Sequence, residues 1–133
     1  MNAIELTEGN FEATIKQDGI VLVDFWASWC GPCRAFAPVF AKAAAQHPDI
    51  VFGKVDTEVQ STLAGAFNVS AIPTLMIYRD GIPLYSEAGA LPASALEDLI
   101  AQVRALDMNE VRQKYAAMQK EQGGAPAAAV SAN

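Results

Sequence analysis

The hydrophobic pattern of the chain switches between two periods, and those switches divide it into strands and helices. Ile20-Val21-Leu22-Val23-Asp24-Phe25-Trp26 is a run of β-branched and aromatic residues that follows the turn signal Asp18-Gly19. A short run of this kind predicts a central strand buried on both faces. Beyond it Phe36, Val39, Phe40 and Ala43 recur at helical spacing, with Pro32 suited to the first turn. Pro38 falls inside that helix and predicts a bend, and His47-Pro48-Asp49 ends it. Ile50-Val51-Phe52-Gly53-Lys54-Val55 predicts a second buried strand, parallel to the first because a helix joins them.

The flanking segments complete the alternation. Residues 3–6 predict a short edge strand, and Thr7 is a candidate N-cap for a short helix through Lys16 whose buried face is Phe11 and Ile15. Residues 59–67 predict another short helix with Leu63, Ala64 and Phe67 inward, ended by Asn68, which tolerates a left-handed backbone. A strand over 74–78 follows Ile72-Pro73. Arg79-Asp80-Gly81-Ile82 then turns the chain back through Pro83-Leu84-Tyr85 as an antiparallel edge strand. Pro92 opens a helix that lines up Leu96, Leu99, Ile100 and Val103. The order β-α-β-α-β-α-β-β-α places the chain in the α/β class, with a mixed central sheet flanked by helices.

A further helix is predicted after residue 106. Asp107-Met108-Asn109-Glu110 has capping-box spacing, and Val111, Tyr115 and Met118 form a stripe at i, i+4 and i+7. Gly123-Gly124 stops it, and the Ala/Pro-rich residues 125–133 carry too little apolar bulk to fold, so disorder is expected there. The expected organisation is one domain over 1–106, an additional amphipathic helix over 107–122 and a tail over 123–133. The helix either packs on its own domain or offers a dimer or partner surface; the expectation for the chain is a monomer.

Composition narrows the function. The 133 residues, 52% hydrophobic and 18% charged, suit one domain with a real core. No apolar run approaches the roughly 18–20 residues of a membrane span, so no membrane partner is expected. The first residues show neither a basic region nor an apolar signal core, which predicts a cytoplasmic location, where disulfides are catalytic or transient. A net charge of −6 argues against a nucleic-acid partner, since neutralising phosphates takes clustered Lys and Arg.

Both cysteines lie in Trp29-Cys30-Gly31-Pro32-Cys33, so none remains for a structural framework. Cys30 falls at a strand-to-helix junction, where unpaired N–H groups and the helix dipole favour an anion such as a thiolate. Gly31 and Pro32 keep the two sulfurs close without bulk. The positions suit Cys30 as the attacking thiol, at the exposed edge of the helix, and Cys33, already inside its first turn, as the resolving one. A C-x-x-C pair also suits metals, but a tetrahedral zinc takes four ligands and the chain offers two Cys and one His, with His47 at the far end of the helix. Two chains pooling four thiolates is the remaining metal arrangement; no metal is expected. Asp24 shares a strand face with Leu22 and Trp26, so desolvation should raise its pKa into a range useful for proton transfer.

The segment Val23-Asp24-Phe25-Trp26-Ala27-Ser28-Trp29-Cys30-Gly31-Pro32-Cys33 resembles the active-site segment of the thioredoxin family. The likeness continues through Lys54-Val55-Asp56, Ala71-Ile72-Pro73-Thr74 and Gly89-Ala90-Leu91 in the family's order, covering roughly residues 4–106. It implies the thioredoxin fold and a protein disulfide reductase that cycles between a Cys30/Cys33 dithiol and a Cys30–Cys33 disulfide. It further implies that Asp24 assists deprotonation of the resolving thiol, with Lys54 near it, and that Pro73 follows a cis peptide bond beside the cysteines. Trp29, Gly31, Pro32, Ile72, Pro73, Gly89 and Ala90 would then make an apolar substrate rim. The implied partners are disulfide-containing client proteins and an NADPH-dependent flavoenzyme, thioredoxin reductase; no cofactor is implied for the chain itself. The additional helix departs from the family's pattern. Ser28 and Arg34 are smaller departures, at positions expected to tune electrostatics.

Two other functions remain open at this point. A disulfide isomerase or oxidase on the same fold is disfavoured by the Gly-Pro between the cysteines, where such relatives usually carry His. A non-catalytic module would hold a partner with the apolar rim and the extra helix, leaving the cysteines incidental.

Overall fold

The structure, a computed structural model, describes residues 2–122. In chain order the elements are β1 (Ile4–Glu5), α1 (Phe11–Lys16), β2 (Ile20–Trp26), α2 (Gly31–Gln46), β3 (Val51–Asp56), α3 (Ser61–Ala66), β4 (Thr74–Arg79), β5 (Ile82–Ala88), α4 (Ala93–Ala105) and α5 (Met108–Glu121). One five-stranded sheet runs β1-β3-β2-β4-β5. β1 and β2 are parallel to β3, whereas β4 is antiparallel to both β2 and β5. β2 is thus the central strand, as its apolar run predicts, and the sheet is mixed.

Because successive strand residues point to opposite faces, β2 feeds two cores. Ile20 and Leu22 meet Phe36, Phe40, Ala43 and Ala44 of α2 and Leu96, Ile100 and Val103 of α4. Val21, Val23 and Phe25 meet Phe11 and Ile15 of α1 and Leu63 of α3. Gly53 matters at the β1 edge: a Cβ there would collide with the side chain of Leu6, which is fully buried.

Local hydrogen bonds move some of the predicted boundaries. Thr7 does not cap α1. Its Oγ1 accepts from the Gly9 N–H at 3.2 Å, and its own N–H donates to Asn10 Oδ1 at 2.7 Å, so a turn occupies 7–10 and the helix starts at Phe11. The N–H groups of Val59 and Gln60 both donate to the Asp56 carbonyl, which delays α3 to Ser61. Phe67 lies just past α3 and packs edge-on against Phe11, with ring centroids 4.7 Å apart. Asn68 takes the expected left-handed backbone, with φ 57°. β5 runs on to Ala88, well past Tyr85, because pairing with β4 carries its polar residues along. Pro38 stands inside α2 without ending it.

The end of α2 is tied to α4. Arg104 binds Asp49 through both carboxylate oxygens, at 2.7 and 3.0 Å, and donates from Nη2 to His47 Nδ1 at 3.0 Å. A guanidinium has no acceptor, so His47 carries its proton on Nε2 and donates it to Glu97 at 2.8 Å.

α5 begins as its sequence predicts. The Asp107 carboxylate accepts from the N–H groups of Asn109 and Glu110, at 3.0 and 3.3 Å. Glu110 does not close the box; it pairs with Lys114 at 2.9 Å. Met108 is buried, and Val111 joins Leu84, Tyr85, Leu99 and Leu106 around a groove of about 270 Å³. Arg112 reaches Asp80 at 3.5 Å, and the other Asp80 oxygen accepts from the Gly19 N–H at 2.8 Å. The first half of α5 therefore packs on its own domain, while Met118 stays exposed. The tail expected over 123–133 lies outside the described residues.

These contacts predict two unequal losses of stability in urea unfolding. Phe40→Ala empties a fully buried site between α2 and the sheet and should cost about 3–5 kcal/mol. Asp107→Ala removes a cap from a helix packed through only one end and should cost about 1 kcal/mol or less.

Candidate active site

The site forms where β2 ends and α2 begins. Cys30 is the N-cap of α2, with an extended backbone, and Pro32 occupies its first turn. This geometry aims the Cys33 N–H at Cys30 Sγ, 3.2 Å away. Such a donor, at the positive end of a 16-residue helix, favours negative charge on that sulfur. The two cysteines are joined as a disulfide, with Cα atoms 5.2 Å apart, and both are buried together with Ala27 against Trp26 and Ile72. Trp26 thus packs beside both cysteines. Among the described residues no group of three or more His, Cys, Asp or Glu side chains converges as a metal site.

A loop from the far side of the sheet completes the surroundings of Cys30. The Ile72–Pro73 peptide bond is cis, and Cys30 Sγ lies 3.8 Å from the Ile72 carbonyl oxygen. The Gly89 N–H donates to the Pro73 carbonyl at 2.8 Å, which ties the end of β5 to the same loop. Gly89 has φ 116°, a conformation that side-chain-bearing residues rarely adopt, so glycine is needed there. Gly31, Pro32, Gly89 and Ala90 are exposed, Ile72 is half-buried and Pro73 is buried. Trp29 is 65% exposed, far more than an indole needs to be in a chain with two cores. The residues named for the rim thus fall into two groups, one at the start of α2 and one on the Ile72–Gly89 side, with the disulfide between them.

Asp24 lies on the α2 side of β2, two residues before Trp26, and is only 1% exposed. Neither of its carboxylate oxygens has a hydrogen-bond partner among the described residues. Burial pushes its pKa up from 3.8 to about 7, and the positive charge of Lys54 partly opposes the rise. Lys54 stands opposite Asp24 in the β2–β3 register. Its ammonium does not bond the carboxylate; it sits over the Trp26 ring, 4.7 Å from the centroid. The structure therefore brings Asp24, Lys54 and Trp26 together near the end of β2, with a carboxylate whose ionisation falls near neutral pH.

One feature of the site has no periodic signal in the sequence. Arg34 folds back over the first turn of α2, and its Nη1 donates to the Ser28 carbonyl at 2.9 Å. The contact links residues six apart across a helix start, a spacing that belongs to no regular pattern.

Comparison with known proteins agrees with this geometry. The sequence matches the Thioredoxin family profile over residues 2–102. It is 53% identical over 122 residues to the "Putative thioredoxin 2" of Streptomyces coelicolor, covering 92% of this chain and 91% of that one. It is 43% identical over 103 residues to "Thioredoxin C-3" of Corynebacterium nephridii, covering 77% of this chain and 71% of that one. Among solved structures, a Plasmodium falciparum thioredoxin superposes with a TM-score of 0.69 at 34% identity, covering 75% of this chain and 98% of that one.

Asp24 should make stability depend on pH in a definite direction. Its folded pKa, about 7, lies above its unfolded value of 3.8, so the folded state prefers the neutral acid. The stabilisation from this group is complete below about pH 4, is lost as pH rises through 7, and changes little beyond. The full change is about 4 kcal/mol. In urea unfolding across this range, Asp24→Asn should gain on the parent chain by about that amount between pH 4 and pH 8.5. A difference between the two that stays flat with pH would contradict the assignment.

Proposed function

Taking as premise that the chain belongs to the thioredoxin family, we propose that it reduces protein disulfides with Cys30 as nucleophile, Cys33 as resolving thiol and Asp24 as proton acceptor. The chain is a dithiol–disulfide oxidoreductase, a protein disulfide reductase of the thioredoxin type. The observation that carries the assignment of roles is the Cys33 N–H directed at Cys30 Sγ at the helix start, beside the Ile72 carbonyl.

In the reduced chain, the Cys30 thiolate attacks one sulfur of a client disulfide. A Cys30–client bond forms, the client S–S bond breaks and the second client sulfur leaves as a thiolate. Cys33 then gives up its proton and attacks Cys30 Sγ, which forms the Cys30–Cys33 disulfide and releases the client as a dithiol. Asp24 is suited to take that proton. It is buried on the face of β2 that α2 covers, and a pKa of about 7 lets it accept and return a proton near neutral pH. Lys54 tunes Asp24 through its charge, held in place over Trp26. Trp29, Gly31, Pro32, Ile72, Pro73, Gly89 and Ala90 form the client site: Trp29, Gly31, Pro32, Gly89 and Ala90 are exposed beside the buried disulfide, and such a surface suits an extended polypeptide better than a small polar molecule.

Thioredoxins act on disulfide substrates and are reduced by thioredoxin reductase. For this chain the partners are therefore disulfide-containing client proteins and an NADPH-dependent flavoenzyme of that kind. A cytoplasmic setting suits a chain whose two cysteines both belong to the redox motif. Among the described residues no helix is long and apolar enough to cross a membrane. Residues 1–106 form the catalytic domain and α5 is an accessory to it. The 122-residue span shared with the Streptomyces coelicolor protein is long enough to include α5, whereas the Corynebacterium nephridii protein shares 103 residues.

Insulin reduction separates the roles of the two thiols. Cys30→Ser should bring turnover down to the uncatalysed rate and form no covalent complex. Cys33→Ser should lose turnover equally but accumulate a mixed disulfide with insulin chains, visible by intact mass. Accumulation with Cys30→Ser instead would exchange the roles, and turnover by a Cys30→Ser/Cys33→Ser chain would overturn the reading.

A further inference from the structure

The four arginines of the chain are not held alike. Arg104 grips Asp49, Arg112 pairs with Asp80, and Arg79 donates to the Val103 carbonyl at 2.8 Å. Arg34 has no carboxylate partner among the described residues, although the chain carries a net charge of −6. A single donor, Nη1, fixes it to the Ser28 carbonyl at 2.9 Å. That bond holds the guanidinium against the segment that carries Trp29 and Cys30. Its Nη2 lies 4.0 Å from where a Cβ on Gly31 would stand, so the absent side chain of Gly31 leaves it uncovered. The Nε–Nη2 edge, whose two parallel donors match a carboxylate, is therefore free on an exposed residue one position after Cys33.

The turn after β3 carries the other sign. Thr57 donates its N–H to the Trp26 carbonyl at 2.9 Å, which fixes the turn after β3 at the same end of the sheet. Asp56 and Glu58 flank Thr57 in that turn, and Glu58 is exposed. A client lying across the site thus meets a fixed guanidinium beside α2.

We propose that Arg34 is a specificity-determining residue of the client site, which selects disulfides flanked by an Asp or Glu able to dock on its free edge. The proposal rests on the reductase reading above. Arg34 takes no part in the exchange of bonds; it acts on the encounter and on the register of the client, so its effect belongs mainly in KM.

The test uses three peptides that share one intramolecular disulfide and differ in one flanking residue: Asp, Asn or Lys. kcat/KM is measured for each with the full chain and with Arg34→Gln. Loss of Arg34 should lower the Asp-to-Asn ratio of kcat/KM by about two- to five-fold, the size expected of an exposed ion pair. It should raise the Lys-to-Asn ratio or leave it unchanged, and the Asp effect should shrink at high salt. Ratios taken on one preparation do not depend on the fraction of folded protein. An unchanged Asp-to-Asn ratio overturns the proposal. So does an equal fall on all three peptides, which would place the effect on the Cys30 sulfur instead of the client. Failure of the unmodified chain to turn over any peptide overturns the reductase reading itself.

Discussion

Enclosure of β2 is the constraint on which the rest of the structure depends. The strand has a neighbour along each edge and a helical layer on each face, so all of its residues before Trp26 are buried. Backbone groups inside such a strand are satisfied by the ladder and are unavailable for chemistry. Its C-terminal end is the first place where the chain emerges, and α2 starts there within five residues. The N–H groups that a helix start leaves unpaired are thus delivered to the mouth of the sheet, where Cys30 uses one of them. The Cys30 sulfur therefore sits at the margin of a strand that is enclosed on both faces.

The same enclosure explains why Asp24 behaves unlike the other structural carboxylates. Asp107 caps a helix, Asp49 is gripped by Arg104, and Asp80 holds both Gly19 and Arg112. Each accepts at least two hydrogen bonds from N–H donors. Asp24 has no donor on either oxygen, and the nearest cation faces the Trp26 ring. A hydrogen-bonded salt bridge at this position would hold the carboxylate ionised and useless as a proton acceptor near neutral pH. Leaving the group unsatisfied costs stability, which the two cores flanking the sheet offset through ordinary apolar burial. A destabilising residue in the middle of the fold is therefore consistent with a chemical role, and the charge of Lys54 limits how far its pKa rises.

Much of this was legible in the sequence, for identifiable reasons. Seven successive strand residues from Ile20 to Trp26, followed by apolar positions at helical spacing, define β2 and α2 whatever surrounds them, and Asp24 stands out inside that run. Elements whose limits depend on partners were less legible. The expected edge strand reaches only Tyr85, yet the β4 ladder holds Ser86 and Glu87 in β5 as well. Thr7 has the composition of a helix cap, but a competing turn through Asn10 and Gly9 uses its hydroxyl and N–H first. In the site, the cysteines follow from spacing alone. The cis bond before Pro73 and the place of Gly89 came from family resemblance, since no periodic pattern encodes a contact between two loops. Lys54 over Trp26 needs the β2–β3 register, and Arg34 on Ser28 needs the path of a helix start, so neither was visible from sequence spacing.

Side-chain bonds are distributed unevenly between the two ends of α2. α2 runs about 24 Å from Cys30, and the opposite end is where charged groups fasten the elements together. His47, Asp49, Glu97 and Arg104 join α2 to α4, while Asp80 and Arg112 join the β4–β5 turn to α5. Around the disulfide, the described residues form no ion pair; the surface consists of backbone groups, glycine, proline and an exposed indole. Backbone groups and an indole face bind an extended chain with little regard for its side chains. The ion pairs therefore lie away from the sulfurs, and the residues proposed to meet the client take part in none of them. Arg34, held by one carbonyl at the edge of that surface, is then the charged side chain placed to discriminate between clients.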